Sequence, residues 1–228
     1  MAGQARRRPP EPAALPATIV TPESLALHLA ALHALDPRFA AVSARAGEVP
    51  MRLIEPGFKG LAWVITGQQI STSACRAIFD RCETVLGGFS AECIHAAEDV
   101  VLKTAGQSAA KIRTLRAVSA AILVGEVALD GLAQMEAEAA VAHLAAVKGI
   151  GRWTAEVYLL FALGHPDVFP AGDLALKEAA RMAFALPGRP AEKALASMAE
   201  SWRPHRSAAA RLLWAYYAAV KRGDGTPA

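Results

Sequence analysis

The chain has 228 residues, 54% of them hydrophobic, enough for one or two packed lobes, and a net charge of only +3 that does not by itself announce a polyanionic partner. Cys75, Cys82 and Cys93 are odd in number and lack the paired spacing of a zinc site or the run of an iron–sulfur cluster. No histidine pair has ligand spacing, so no metal site is expected. Residues 1–17 carry Arg6, Arg7 and Arg8 among prolines and alanines, with no apolar run behind them, and read as a disordered tail rather than a signal or anchor. Thr21-Pro22 starts a helix that runs to about Leu35. Residues 49–57 read as an extended connector. From Phe58, the residues Leu61, Val64 and Ile65 recur at helical spacing up to Gly67-Gln68-Gln69. Ser71 caps a helix with the stripe Cys75, Ile78, Phe79, Cys82, Val85 and Leu86, stopped by Gly87-Gly88. A helix over 108–124 places Ile112, Leu115, Ile122 and Leu123 on its apolar side. Helices follow over 135–147, 152–163, 174–185, 190–201 and 207–221. No alternating strands and no internal repeat are found, and the class is all-α.

Two clusters of cations stand out. One holds Lys103, Lys111, Arg113 and Arg116, the other Arg203, His205, Arg206 and Arg211. Charge alone does not decide between solvated helix faces and a surface for phosphates.

The most informative stretch is VKGIGRWTAEVYLLFALGHPDVFPAGD, residues 147–173. Gly149 and Gly151 flank Ile150 between two helices. Glycine permits a positive φ and a close backbone approach. The second helix begins at this turn, so its free N–H groups and positive dipole end face it. That arrangement suits a phosphate, and it equally suits a plain tight link. Asp173 opens the next helix, where its carboxylate reads as an N-cap with Lys177 one turn on.

Taken together, KGIGRWTAE and DVFPAGDLALK, with FKGLAWVITGQQIS at 58–71 and SWRPHRSAAARLLW at 201–214, resemble the helix-hairpin-helix DNA glycosylases, specifically the 3-methyladenine-DNA glycosylase II group. The likeness runs in order from about Phe58 to Val220. It implies a two-lobed helical fold over residues 18–228, with the hairpin at about 137–163. The N-terminal β-rich domain found in some members is not expected ahead of Phe58.

The resemblance assigns roles by position. Asp173 falls on the catalytic aspartate. Trp153, Trp214 and Val157 fall on the base pocket, and Trp202 on a structural tryptophan. Gln69 falls on the residue that fills the gap left by a flipped base. Lys148, Gly149, Ile150, Gly151, Arg152 and Thr154 fall on the backbone-binding hairpin, and Ser108 and Lys111 on a further backbone contact. Glycosylases that also cut the strand carry a lysine where this chain has Trp153, so a monofunctional enzyme is implied. Two positions depart from relatives: Val157 replaces a tyrosine, and His205 a tryptophan. Tyr158 lies about 100° further round its helix and is not expected to substitute. The expected pocket is therefore less aromatic, with no third ring beside Trp153 and Trp214, and discrimination is expected to rest on the substrate's own positive charge.

The implied activity is excision of alkylated purines such as 3-methyladenine and 7-methylguanine from double-stranded DNA, in base excision repair. No organic cofactor and no metal are implied, although the resemblance admits a monovalent cation at the hairpin carbonyls. The protein is expected to be a monomer in the cytoplasm, working on DNA and not on membranes. Two alternatives stay open: a non-catalytic module that binds damaged DNA, and a glycosylase for oxidised or deaminated bases.

Overall fold

The computed structural model describes residues 17–223. The expected tail, with its three arginines, lies outside the described residues apart from Ala17. Helices follow one another along the chain, and no strand occurs among the described residues. None of these helices is long and apolar enough to cross a membrane.

The first half is built from capped helices. In α1 (Pro22–Leu35), the Thr21 hydroxyl accepts the Ser24 N–H at 3.1 Å, and the Ser24 hydroxyl accepts the Thr21 N–H at 3.0 Å. This reciprocal cap satisfies two donors that the helix start leaves free. Next comes α2 (Phe39–Ala46), which buries Phe39, Val42 and Ala46. The connector that follows is pinned from behind, with Ile54 N–H donating to the Phe161 carbonyl at 2.9 Å and Gly57 N–H to the Tyr158 hydroxyl at 3.0 Å. Tyr158 is thus a fully buried strut, as its place on the helix implied. Where α3 (Phe58–Gly67) crosses the connector, a Cβ on Gly60 would sit 1.8 Å from the Glu55 carbonyl, so only glycine fits.

Ser71 caps α4 (Thr72–Leu86), and left-handed Gly87 ends it. Cys75, Phe79 and Cys82 are buried, but Val85 is 55% exposed and leaves the expected stripe. Two short helices, α5 (Ala91–Ala96) and α6 (Asp99–Thr104), lead to α7 (Ala109–Leu123), whose Leu123 is also exposed. The chain continues through α8 (Ala137–Ala145), α9 (Arg152–Phe161), α10 (Leu174–Ala183), α11 (Glu192–Ala199) and α12 (Arg206–Gly223).

Packing sorts these helices into two groups, the lobes expected from the sequence. One gathers α1, α2 and α10 on α12. The other packs α3 against α4, α7 and α9, with α5 on α7 and α8 on α9. A single buried apolar cluster runs through both. In the first lobe Trp202 is fully buried, and its indole N–H donates to Asp36 Oδ2 at 3.0 Å, so it is structural as expected.

The second cation cluster is engaged within the protein, with Arg203 exposed but paired with Glu136, Asp167 and Glu200. His205, Arg206 and Arg211 are all buried. Arg206 pairs with Asp167 at 2.8 Å. Arg211 donates to the Arg52 and Leu160 carbonyls at 2.9 Å each, and burial pushes its guanidinium down to about 10. Arg211 thereby locks the connector and α9 to α12, and Arg206 ties α12 to Asp167. In the first cluster Arg116 is tied to Asp99 and to the backbone carbonyls of Ile94, His95 and Ala97, while Lys103 and Arg113 stay exposed.

Candidate active site

The hairpin between α8 and α9 is shaped by one obligatory glycine. Gly149 has φ +95, and a Cβ there would lie 2.3 Å from Thr114 Oγ1 on α7. Ile150 is buried and its N–H donates to the Val147 carbonyl at 3.0 Å, so it anchors the turn as expected. Gly151 differs from expectation. Its φ is −85, an ordinary extended value, and its α-carbon faces open space. Its lack of a side chain leaves the outer face of the turn open and is not required by the bend.

Gly151 is also the N-cap of α9, and no side chain caps this helix. The N–H groups at the start of α9, from Arg152 to Thr154, therefore have no acceptor inside the helix. They point, with the positive end of the dipole, toward the exposed Gly151. Lys148 is exposed beside them. The Arg152 guanidinium is otherwise engaged: it forks onto Glu138 at 2.7 and 2.8 Å and reaches Glu156 at 2.8 Å. Its contribution at the hairpin is its backbone N–H. Thr154 is buried, and its hydroxyl accepts the Gln68 side-chain N–H at 2.8 Å. That bond ties the 68–70 loop to α9.

Gln69 sits at the tip of this loop, exposed and in the left-handed region at φ +59. A residue with a Cβ holds that conformation at a cost of about 1–2 kcal/mol. Lys111 supports the loop from below, donating to the Thr66 carbonyl at 2.7 Å near the end of α3. Burial holds its ammonium below the usual lysine range. Ser108 caps α7 through the Lys111 N–H at 3.3 Å. At least one donor of Lys111 is thus committed to the end of α3, beside the 68–70 loop, a contact that the sequence did not suggest.

Asp173 stands where the two lobes meet. As the N-cap of α10 it accepts the Leu176 N–H on Oδ1 at 2.9 Å. The Trp214 indole N–H donates to the same oxygen at 3.1 Å, and the Trp153 indole N–H to Oδ2 at 3.2 Å. Trp153 comes from α9 in one lobe, Trp214 from α12 in the other. The capping and catalytic readings of Asp173 are therefore compatible. Its three donors fix the carboxylate and leave lone pairs of Oδ2 for a ligand.

Beside this cluster opens a cleft of about 710 Å3, lined among others by Ile54, Trp63, Val64, Trp153, Val157 and Phe161. Asp173 and Trp214 are not on its wall, and Trp153 connects them to it. The expectation of no third ring is corrected. Phe161 lies two turns from Trp153 on the same face of α9, lines the cleft, and stacks on Trp214 at 5.3 Å between centroids. Trp63 on α3 adds another ring. The i, i+4, i+8 spacing of Trp153, Val157 and Phe161 carried the first signal; Trp63 hid in an apolar helical stripe.

Among the described residues no group of three or more His, Cys, Asp or Glu side chains is placed to hold a metal ion. Within the hairpin the Val147 carbonyl accepts the Ile150 N–H.

Comparison with known proteins identifies the family and the fold. A family model described as HhH-GPD superfamily base excision DNA repair protein matches residues 62–204. DNA-3-methyladenine glycosylase 1 of Schizosaccharomyces pombe is 32% identical over 161 residues, which cover 69% of this chain and 71% of that protein. The solved structure of the 3-methyladenine DNA glycosylase of the same yeast, in complex with abasic DNA, superposes with a TM-score of 0.73 at 30% identity, covering 82% of this chain and 94% of that one. DNA-3-methyladenine glycosidase from Bacillus halodurans gives a TM-score of 0.76 at 30% identity, covering 92% of this chain and 94% of that one.

Proposed function

Since the chain belongs to the HhH-GPD superfamily of base excision DNA repair proteins, we propose that it is a monofunctional DNA glycosylase that flips alkylated purines out of double-stranded DNA and hydrolyses their N-glycosidic bond. The observation that carries this is the Asp173 carboxylate, held by Trp153 and Trp214 at the edge of an aromatic cleft. The open start of α9 supplies N–H groups for a DNA phosphate. Gln69, at the tip of a braced loop, fills the gap in the duplex. All of these groups come from one chain, so a monomer suffices.

The chemistry follows from the charge. Breaking the C1′–N bond sends its electron pair onto the base and leaves positive charge on the sugar. A 3-methyladenine nucleoside is already cationic, so the base departs neutral and no general acid is required. A fixed carboxylate stabilises the oxocarbenium-like sugar, because its orientation costs nothing at the moment of reaction. Water then bonds to C1′ and releases a proton. Trp153 occupies the position at which strand-cutting relatives carry an amine, so no Schiff base forms there and the backbone stays intact.

The test uses duplexes carrying 3-methyladenine, 7-methylguanine, hypoxanthine or 1-methyladenine, with abasic sites scored before and after alkali. Free methylated purine should be released, and strand breaks should appear only after alkali. Tight binding without release would instead identify a damage-binding module.

A further inference from the structure

The wall of the cleft facing α4 carries a contact that neither the hairpin nor Asp173 explains. The Arg76 guanidinium carbon lies 4.7 Å from the centre of the Trp63 ring, and both residues line the cleft. The Trp63 ring is held edge-on by Phe79 at 5.2 Å, and Phe79 is stacked on Phe89 at 4.2 Å, so the indole cannot easily turn. Asp80 stands one helical turn after Arg76, at the spacing where an ion pair forms on a helix. Yet among the described residues no carboxylate lies within 4.0 Å of the Arg76 guanidinium. Lys59, also on the wall, is by contrast held by Glu83 at 2.6 Å. Arg76 is therefore a cation seated on an aromatic face, with its planar fork of N–H donors unspent on carboxylates.

We propose that Arg76, seated on Trp63, reads a carbonyl oxygen on the extruded base, so that the cleft favours 6-oxo purines over 6-amino purines. This rests on the cleft being the base pocket. A guanidinium has donors and no acceptors. It therefore bonds the C6 carbonyl of an alkylated guanine or of hypoxanthine, and meets the C6 amine of an adenine donor against donor. Arg76 is an exposed residue at the rim of the cleft, so the 6-oxo base gains a charged hydrogen bond that the 6-amino base cannot form. Trp63 acts by positioning the guanidinium.

The experiment compares wild type with Arg76→Ala, Arg76→Lys, Trp63→Ala and Trp63→Phe. Single-turnover excision of 7-methylguanine and 3-methyladenine is one readout; both nucleosides are cationic, and what is read is the change in their ratio between wild type and variant. Arg76→Ala should lower the 7-methylguanine to 3-methyladenine ratio roughly tenfold, the scale of one charged hydrogen bond. Trp63→Ala should lower it as well, and Trp63→Phe and Arg76→Lys should restore part of it. A purely structural defect would slow both bases alike. An unchanged ratio in Arg76→Ala, with both bases still excised, overturns the proposal. The second readout is tryptophan fluorescence titrated with inosine and adenosine. There the wild type should prefer inosine, and Arg76→Ala should lose that preference; equal preference in both proteins overturns the proposal. If no base is excised by the wild type but the titration behaves as expected, the glycosylase reading fails while the assignment of Arg76 stands.

Discussion

The indole N–H of Trp153 meets Oδ2 of Asp173 at 3.2 Å across the junction of the two lobes. One residue belongs to the helix that begins at the hairpin, the other to the helix that caps itself with the carboxylate. The bond makes the hairpin and the carboxylate parts of one rigid site. In the proposed complex, a sugar gripped through its phosphate at α9 would thereby be placed at a set distance from the carboxylate.

Asp173→Asn should abolish most excision. The asparagine carbonyl can still accept the Leu176 N–H, but the amide then faces the Trp153 N–H donor to donor. The variant loses both the negative charge and one positioning bond. The expected loss is about 3 kcal/mol of transition-state stabilisation, on the order of 100-fold in rate. Affinity for a duplex with an abasic-site analogue should largely survive. Single-turnover rates near wild type would remove Asp173 from the chemistry.

Gly151→Val tests the hairpin more cleanly than its glycine suggested. With φ −85 and open space at the α-carbon, valine fits without backbone strain. Stability should fall by no more than about 1 kcal/mol, from a poorer N-cap. The branched side chain would, however, stand between a phosphate and the N–H groups of α9. Binding to damaged and undamaged duplexes should weaken alike, and the salt dependence should drop by about one phosphate contact. Unchanged affinity in a folded variant would reduce the turn to a connector. Gly149→Val is the contrasting case, since its Cβ would collide with Thr114; that variant should be strongly destabilised.

Much of this site was legible in the chain because its elements are short, capped and regularly spaced. Thr21, Ser71, Ser108 and Asp173 each cap the helix that their position announced. What the sequence hid were choices between partners. Arg152 and Lys111 read as phosphate ligands, but Glu138 with Glu156, and the Thr66 carbonyl, engage their side chains. Glu138 and Thr66 lie 14 and 45 residues away, beyond any local pattern, whereas Glu156 stands at the i,i+4 spacing of a helical ion pair. The helices α2, α5 and α6 were missed because runs of six to eight residues hardly show a period. Burial of Arg206 and Arg211 was equally invisible, since their compensation comes from Asp167 and from carbonyls of distant segments.

Gln69 separates function from stability. Its left-handed φ favours glycine, so Gln69→Gly should raise stability or leave it unchanged, by up to about 1 kcal/mol. The same change removes the side chain proposed to fill the gap in the duplex. Excision from duplex DNA should fall, with a smaller loss on mismatched DNA, whose base is easier to extrude. Thermal melting together with rates on the two substrates checks both halves. Undiminished excision from matched duplex would show that Gln69 is not the wedge.

Two buried groups should give the stability opposite slopes with pH. Burial holds His205 below its ordinary value of 6.5, with the His28 ring at 3.0 Å adding to the effect and Asp167 opposing it. Below pH 6.5 the unfolded chain then binds more protons than the folded one, so this group lowers stability as pH falls. Burial pushes Glu156 up to about 7 from 4.5, with Arg152 pulling it back and Glu138 and Glu192 adding to the rise. Between these values the folded chain binds more protons, so this group lowers stability as pH rises. In the wild type the two effects partly cancel in the shared window. Glu156→Gln keeps the shape, and Arg152 keeps its fork on Glu138. Its melting temperature should drop more steeply than that of the wild type as pH falls from 6.5. His205→Gln should do the reverse, melting progressively lower as pH rises from 4.5 toward 7. Melting curves of the three proteins across this range decide it, and parallel profiles would show that neither group is linked to folding.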